Sequence, residues 1–158
     1  MDRAELLRLV DGHGWIWGHW WGALMELSPE QLTREVGGSF PSVLTTVAHM
    51  VGSEQVWQMR CEGQSQATFP PVPDNLLRLK DDWDEIAARR RAWLETVPLD
   101  LKVNYTITYS NSTAVNSVSE VILHMTSHTH FHRGQLVNHL RALGVKPPSV
   151  HLIGYFRL

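Results

Sequence analysis

Apolar residues recur at steps of three and four over four long stretches of the chain, the period of helices with one buried face. The first, from about Asp2 to Leu27, carries Leu6, Val10, Ile16, Trp20, Leu24 and Leu27. Gly12, Gly14, Gly18 and Gly22 weaken its propensity, so packing must hold it. Ser28-Pro29-Glu30-Gln31 then combines a serine cap, a proline at the first helical position and a capping-box glutamine. This predicts one short turn, stopped at Gly37-Gly38. The second long helix is predicted from about Phe40 to Glu62, with Leu44, Val47, Met50 and Val51 inside. Residues 63–74, with Pro70, Pro71 and Pro73, read as a loop. Asp74 is the candidate cap of a third helix running to about Thr96. Its inner face would be Leu76, Leu79, Trp83, Ile86, Ala87, Trp93 and Leu94, with Arg89-Arg90-Arg91 as a solvated basic patch.

Between Leu101 and Tyr109 the period shortens to two. Val103, Tyr105, Ile107 and Tyr109 alternate with Lys102, Asn104, Thr106 and Thr108, so one strand or a small hairpin interrupts the helices. The fourth helix is predicted from about Ala114 to Leu143, closed by Gly144 and Pro147-Pro148. The tail from Ser149 to Leu158 is apolar enough to pack.

Composition narrows the picture. At 158 residues, 43% hydrophobic and 19% charged, the chain suits a single globular domain spanning 1–158. A net charge of −2 and a pI near 6.5 argue against nucleic acid as the main partner. No apolar run approaches the roughly 20 residues of a membrane span, and the N-terminus is too charged for a secretory leader. Cys61 is the only cysteine, which excludes an internal disulfide and fits a reducing cytoplasm. Seven tryptophans and nine histidines are the unusual counts. The run Trp15–Trp21 is read as core or interface packing, because large rings dominate buried area.

Four of the histidines fall in His124-Met125-Thr126-Ser127-His128-Thr129-His130-Phe131-His132. On a helix His124, His128 and His132 form a ladder, while His130 points elsewhere. The ladder interrupts the apolar stripe Val121, Met125, Leu136 and Leu143, so its rings face the core. Imidazoles there cost several kcal/mol unless their nitrogens are satisfied, by a hydrogen-bonded histidine cluster or by a metal. His128 and His132 have the spacing of a bidentate metal clip, but Thr129 stands where a zinc protease carries glutamate. A third ligand must come from another helix, and His49, with the small Gly52 and Ser53 beside it, is the best-placed candidate. Three neutral imidazoles would leave coordination positions open, as catalytic sites do.

Ser127–Gln135, with His-x-x-x-His followed by Arg-Gly-Gln, resembles the final-helix signature of the DinB-like (DinB/YfiT) superfamily, which is unrelated to the DNA polymerase sharing that name. Ser39-Phe40-Pro41-Ser42 leading to His49, Glu54 and Trp57, and Leu143-Gly144 through Pro147-Pro148 to Tyr155, are similar to it as well. The resemblance implies an all-α four-helix bundle with a crossover connection. It also implies a divalent metal, zinc or nickel, on three histidines that match His49, His128 and His132. His124 would be a pocket-wall group, Arg133 and Gln135 would brace the site or pair within the bundle, and Glu54 is a candidate base. His151 stands where relatives often carry an acid.

Two functions compete on this reading. One is a metal-dependent enzyme for a small-molecule substrate, either an S-transferase using a low-molecular-weight thiol or a hydrolase using metal-activated water. The other is a non-catalytic, metal-binding, stress-induced oligomeric bundle whose surface is an oligomer interface, which the tryptophan-rich first helix suits. A homodimer fits both readings.

Overall fold

Each long helix begins where a side chain takes up a free backbone amide. In the computed structural model, which describes residues 1–71, 73 and 75–158, α1 (Arg3–Met25) opens on a reciprocal capping box between Asp2 and Glu5. The short α2 (Pro29–Thr33) opens on Ser28 and Gln31 in the same way, as its sequence predicts. Ser42 caps α3 (Val43–Cys61). Asn75 caps α4 (Leu76–Thr96) through the Arg78 amide, and the expected cap, Asp74, lies outside the described residues.

The fourth long helix starts later than its apolar pattern suggests. Residues from Ala114 to Ser117 belong to a hairpin, β1 (Lys102–Ile107) with β2 (Ser112–Ser117), in which Tyr105 faces Ala114 and Val103 faces Asn116. Thr113 and Val115 favour a strand, and Asn111 takes the left-handed conformation at the turn, φ 49°. Ser117 and Glu120 then form the capping box that starts α5 (Val118–Ala142). A final turn, α6 (Leu152–Tyr155), lies on α1. It comes so close that a β-carbon at Gly12 would sit 2.7 Å from Leu152 and Tyr155. Glycine is required there by contact, despite its cost to the helix.

The four long helices form a ring in which α1 and α3 each pack against both α4 and α5. Helix α1 does not approach α3 directly, nor α4 approach α5. The first and second long helices, and likewise the third and fourth, therefore lie on diagonals, which tight turns cannot bridge. The longer connections, 26–42 with α2 and 97–117 with the hairpin, make those crossings. The architecture is the all-α bundle with a crossover that the sequence implied.

Apolar packing falls into two clusters along the bundle. One gathers Trp17, Trp20, Trp21, Leu24, Val47, Met50, Leu79, Trp83 and Leu136. The other gathers Leu6, Val10, Cys61, Leu94, Val103, Val118 and Ile122. Between them in sequence each long helix places buried polar residues: His13 on α1, Glu54 on α3, Arg90 on α4, and Thr129 and Arg133 on α5. Trp17 and Trp21 stack at 4.9 Å inside the bundle, so the tryptophan-rich helix is core and offers no support for an interface. Among the described residues no helix is long and apolar enough to cross a membrane.

Candidate metal centre

Glu54 is fully buried, and it is held by all the other long helices. Oε1 accepts from His13 Nε2 at 2.9 Å, Trp17 Nε1 at 3.0 Å and Thr129 Oγ1 at 2.9 Å. Oε2 accepts from Trp83 Nε1 at 3.2 Å and pairs with Arg90 Nη1 at 2.9 Å. Burial alone would raise its pKa, but the Arg90 guanidinium and the hydrogen bonds from His13 and Thr129 outweigh it and keep the carboxylate ionised well below the usual range. Glu54 is therefore not a base at the histidines, because its lone pairs are consumed within the core. The basic patch expected at 89–91 is corrected too. Arg89 and Arg91 lie at the surface with Glu62, Asp11 and Glu95, whereas Arg90 is 2% exposed. It stands four residues after Ile86 and four before Leu94, on the buried stripe.

Arg133 Nη2 lies 3.3 Å from His13 Nδ1. Guanidinium only donates, so Nδ1 accepts, the proton sits on Nε2, and His13 is neutral. Burial lowers its pKa, and Glu54 offsets this only in part. The unfolded chain protonates His13 near its ordinary value of about 6.5 while the native one does not, so acidification favours unfolding. In the metal-free protein, stability should fall as the pH drops below about 6.5, by at most about 1.4 kcal/mol per pH unit for this proton. Urea midpoints at pH 7.5 and 5.5 check this, and equal midpoints would contradict it.

Thr129 follows His128, and Arg133 follows His132. Anchoring these two neighbours in the core layer fixes the rotation of α5, and with it the direction of both histidines. The rings of His49, His128 and His132 converge, with centroids 4.5 Å (49–132), 4.5 Å (128–132) and 5.2 Å (49–128) apart. Nε2 of His132 is 3.2 Å from Nε2 of both His49 and His128, and one nitrogen from each ring lies within 4.8 Å of the others. Two nitrogens about 2.1 Å from one ion at a tetrahedral angle are about 3.4 Å apart, so the spacing suits a shared cation. His132 Nδ1 donates to Gln135 Oε1 at 3.0 Å, which leaves the Nε2 lone pair free. Burial, then the neighbouring His132, lower the pKa of His49 and of His128 to about 4, keeping both neutral at pH 7.

His49 is held by stacking between Phe40 at 4.2 Å and Phe69 at 5.4 Å. Gly52 does not leave open space beside the ring; it admits Phe69, 3.0 Å from where a β-carbon would lie. A mainly apolar cavity of about 380 Å³, walled by Phe40, Pro41, Phe69, Pro70 and Leu79, adjoins His49. Three other residues weighed from sequence lie apart from the convergent nitrogens. His124 rests on Trp57, with its ring 5.9 Å from that of His128. His151 is exposed at the start of α6. Cys61 is buried, and burial pushes its thiol up to about 12, which makes it a packing residue. Of the expected braces, Gln135 touches the site and Arg133 pairs within the bundle. Reasoning from sequence missed His13, Arg90 and Thr129, of which only Arg90 left a signal, its place on the stripe.

A crossed four-helix bundle with three imidazoles converging from its second and fourth long helices defines a class of helical proteins suited to a divalent ion. The DinB family matches residues 4–158, and the chain belongs to it. No curated protein matches the sequence.

Proposed function

We propose that the chain binds zinc or nickel through His49, His128 and His132 and catalyses reactions of a small-molecule substrate in the cytoplasm, as a single domain and a homodimer. The observation that carries this reading is the convergence of three imidazole nitrogens, one ring of which is oriented by Gln135. A bound divalent cation supplies a Lewis acid that stabilises a thiolate or lowers the pKa of water. Around it His49 and His128 are only half-buried, which leaves an approach for a ligand, and the Phe40–Phe69 cavity suits an apolar substituent. Cys61 and Glu54 take no part, so the nucleophile must come from a thiol cofactor or water. Thiol-dependent S-transfer is our first choice and hydrolysis the variant; the non-catalytic alternative loses the support of an exposed tryptophan face.

Gln135→Ala should weaken zinc binding by about 10- to 100-fold, since it frees the His132 tautomer without removing a ligand. Competition with a chromogenic chelator measures this, and unchanged affinity would remove Gln135 from the site. For function, the zinc- and nickel-loaded protein is assayed for conjugation of thiols to an electrophile and for ester hydrolysis, with His132→Ala as control. Metal-dependent turnover absent from the variant supports the enzyme. Tight binding without turnover across the panel refutes catalysis.

A further inference from the structure

A second cleft, of about 370 Å³, opens between the hairpin and the α3–α5 face. Trp57 and Tyr105 wall it, edge to face at 4.9 Å. The Arg60 guanidinium lies over both rings, at 4.8 and 5.0 Å. Its contacts with the chain are long ones, from Nη2 to the carbonyls of Thr106 at 3.3 Å and Ala67 at 3.5 Å. Among the described residues Arg60 pairs with no carboxylate, and Nε has no hydrogen-bond partner. Arg89, Arg90 and Arg91, by contrast, each hold an acid. Burial lowers the Arg60 pKa, so the charge is under-compensated where it stands. His124, with its ring 4.9 Å from Trp57 and 5.9 Å from His128, joins this cleft to the histidine cluster.

We propose that this cleft is an organic-anion subsite, in which Arg60 takes the carboxylate of a small ligand whose flat body lies against Trp57 and Tyr105. Its far end then reaches past His124 toward the proposed metal centre. A guanidinium matches a carboxylate in charge and in its paired donors. Among the described residues Arg60 is the one arginine lining the cleft, and a single guanidinium suits a monoanion better than a phosphate. Glu120 also lines the cleft. Its Oε2 is engaged by the Ser117 amide and hydroxyl and by Asn116. These bonds, led by the backbone one, lower its pKa and keep it ionised, so it disfavours a ligand with a second negative group.

The subsite rests on the metal reading for its purpose but not for its test, which uses benzoate as probe and benzamide as its uncharged match. On the full chain, with and without zinc, benzoate should bind saturably and shift the Trp57 indole resonance, and benzamide should bind at least about tenfold more weakly. Arg60→Met should weaken benzoate about tenfold or more while zinc affinity stays unchanged, and Arg60→Lys should retain part of the binding. Thr108→Glu, an exposed change on the cleft wall, should also weaken it, and serves if Arg60→Met does not fold. Benzoate binding no better than benzamide, leaving Trp57 unmoved, or surviving Arg60→Met would overturn the proposal. So would binding that requires zinc and ignores Arg60, because the ion would then be the receptor. Arg60-dependent binding in a protein that takes up no zinc would uphold the subsite and refute the metal centre.

Discussion

Replacing Glu54 with alanine is expected to destabilise the protein by about 3–5 kcal/mol, on the order of a 10 °C fall in Tm. The cause is what the carboxylate leaves behind. Arg90, 2% exposed, would keep its charge in the core without a partner. The indole N–H groups of Trp17 and Trp83, the Thr129 hydroxyl and the His13 Nε2 would lose their shared acceptor. An unsatisfied buried donor costs about 1–3 kcal/mol, and a stranded charge costs more than either. Urea denaturation of the single variants and of Glu54→Ala/Arg90→Met checks it. The double variant should lose less than the sum of the singles, because removing both charges removes the stranded one. Additive losses, or a Glu54→Ala penalty under about 1 kcal/mol, would show that the polar layer does not hold the bundle.

The second large effect is on metal. His132→Ala should weaken zinc or nickel binding by at least about 100-fold, more than loss of a bracing partner does. His132 is the hinge of the cluster, with its Nε2 3.2 Å from the Nε2 atoms of both His49 and His128. Without it, two imidazoles on different helices are left with no shared neighbour. Metal at about 100 times its Kd should raise wild-type stability by about 2.7 kcal/mol, and the variant should show almost none of that gain. Calorimetric titration and thermal melts with and without zinc measure both quantities. Equal metal-induced stabilisation of the two proteins would move the site away from these histidines.

How much of this was readable beforehand differs from element to element. The helices were legible because capping residues and apolar steps are local signals, as at Asp2, Ser28 and Gly144. The hairpin was half legible. Alternation from Val103 announced the first strand, but Ser112–Ser117 lacks an apolar alternation of its own, so the helix was extended backward over it. Only the Ser117–Glu120 capping box marked the true start. The histidine pair at 128 and 132 could be read from its spacing, and the partner at 49 came by inference and by family resemblance. The role of Glu54 could not be read, because its five donors come from residues 13, 17, 83, 90 and 129, separations over which sequence carries no geometric information.

By itself the sequence determined which stretches are helical, which faces are apolar, and that imidazoles break the stripe of the last long helix. Those properties depend on neighbours within one turn or one capping motif. Tertiary structure alone decided that α1 and α3 lie on a diagonal, that Arg90 is core and Glu54 is not a base, and that the rings of His49, His128 and His132 meet. Such outcomes depend on how helices rotate and pack against one another, which is set by the whole interior at once.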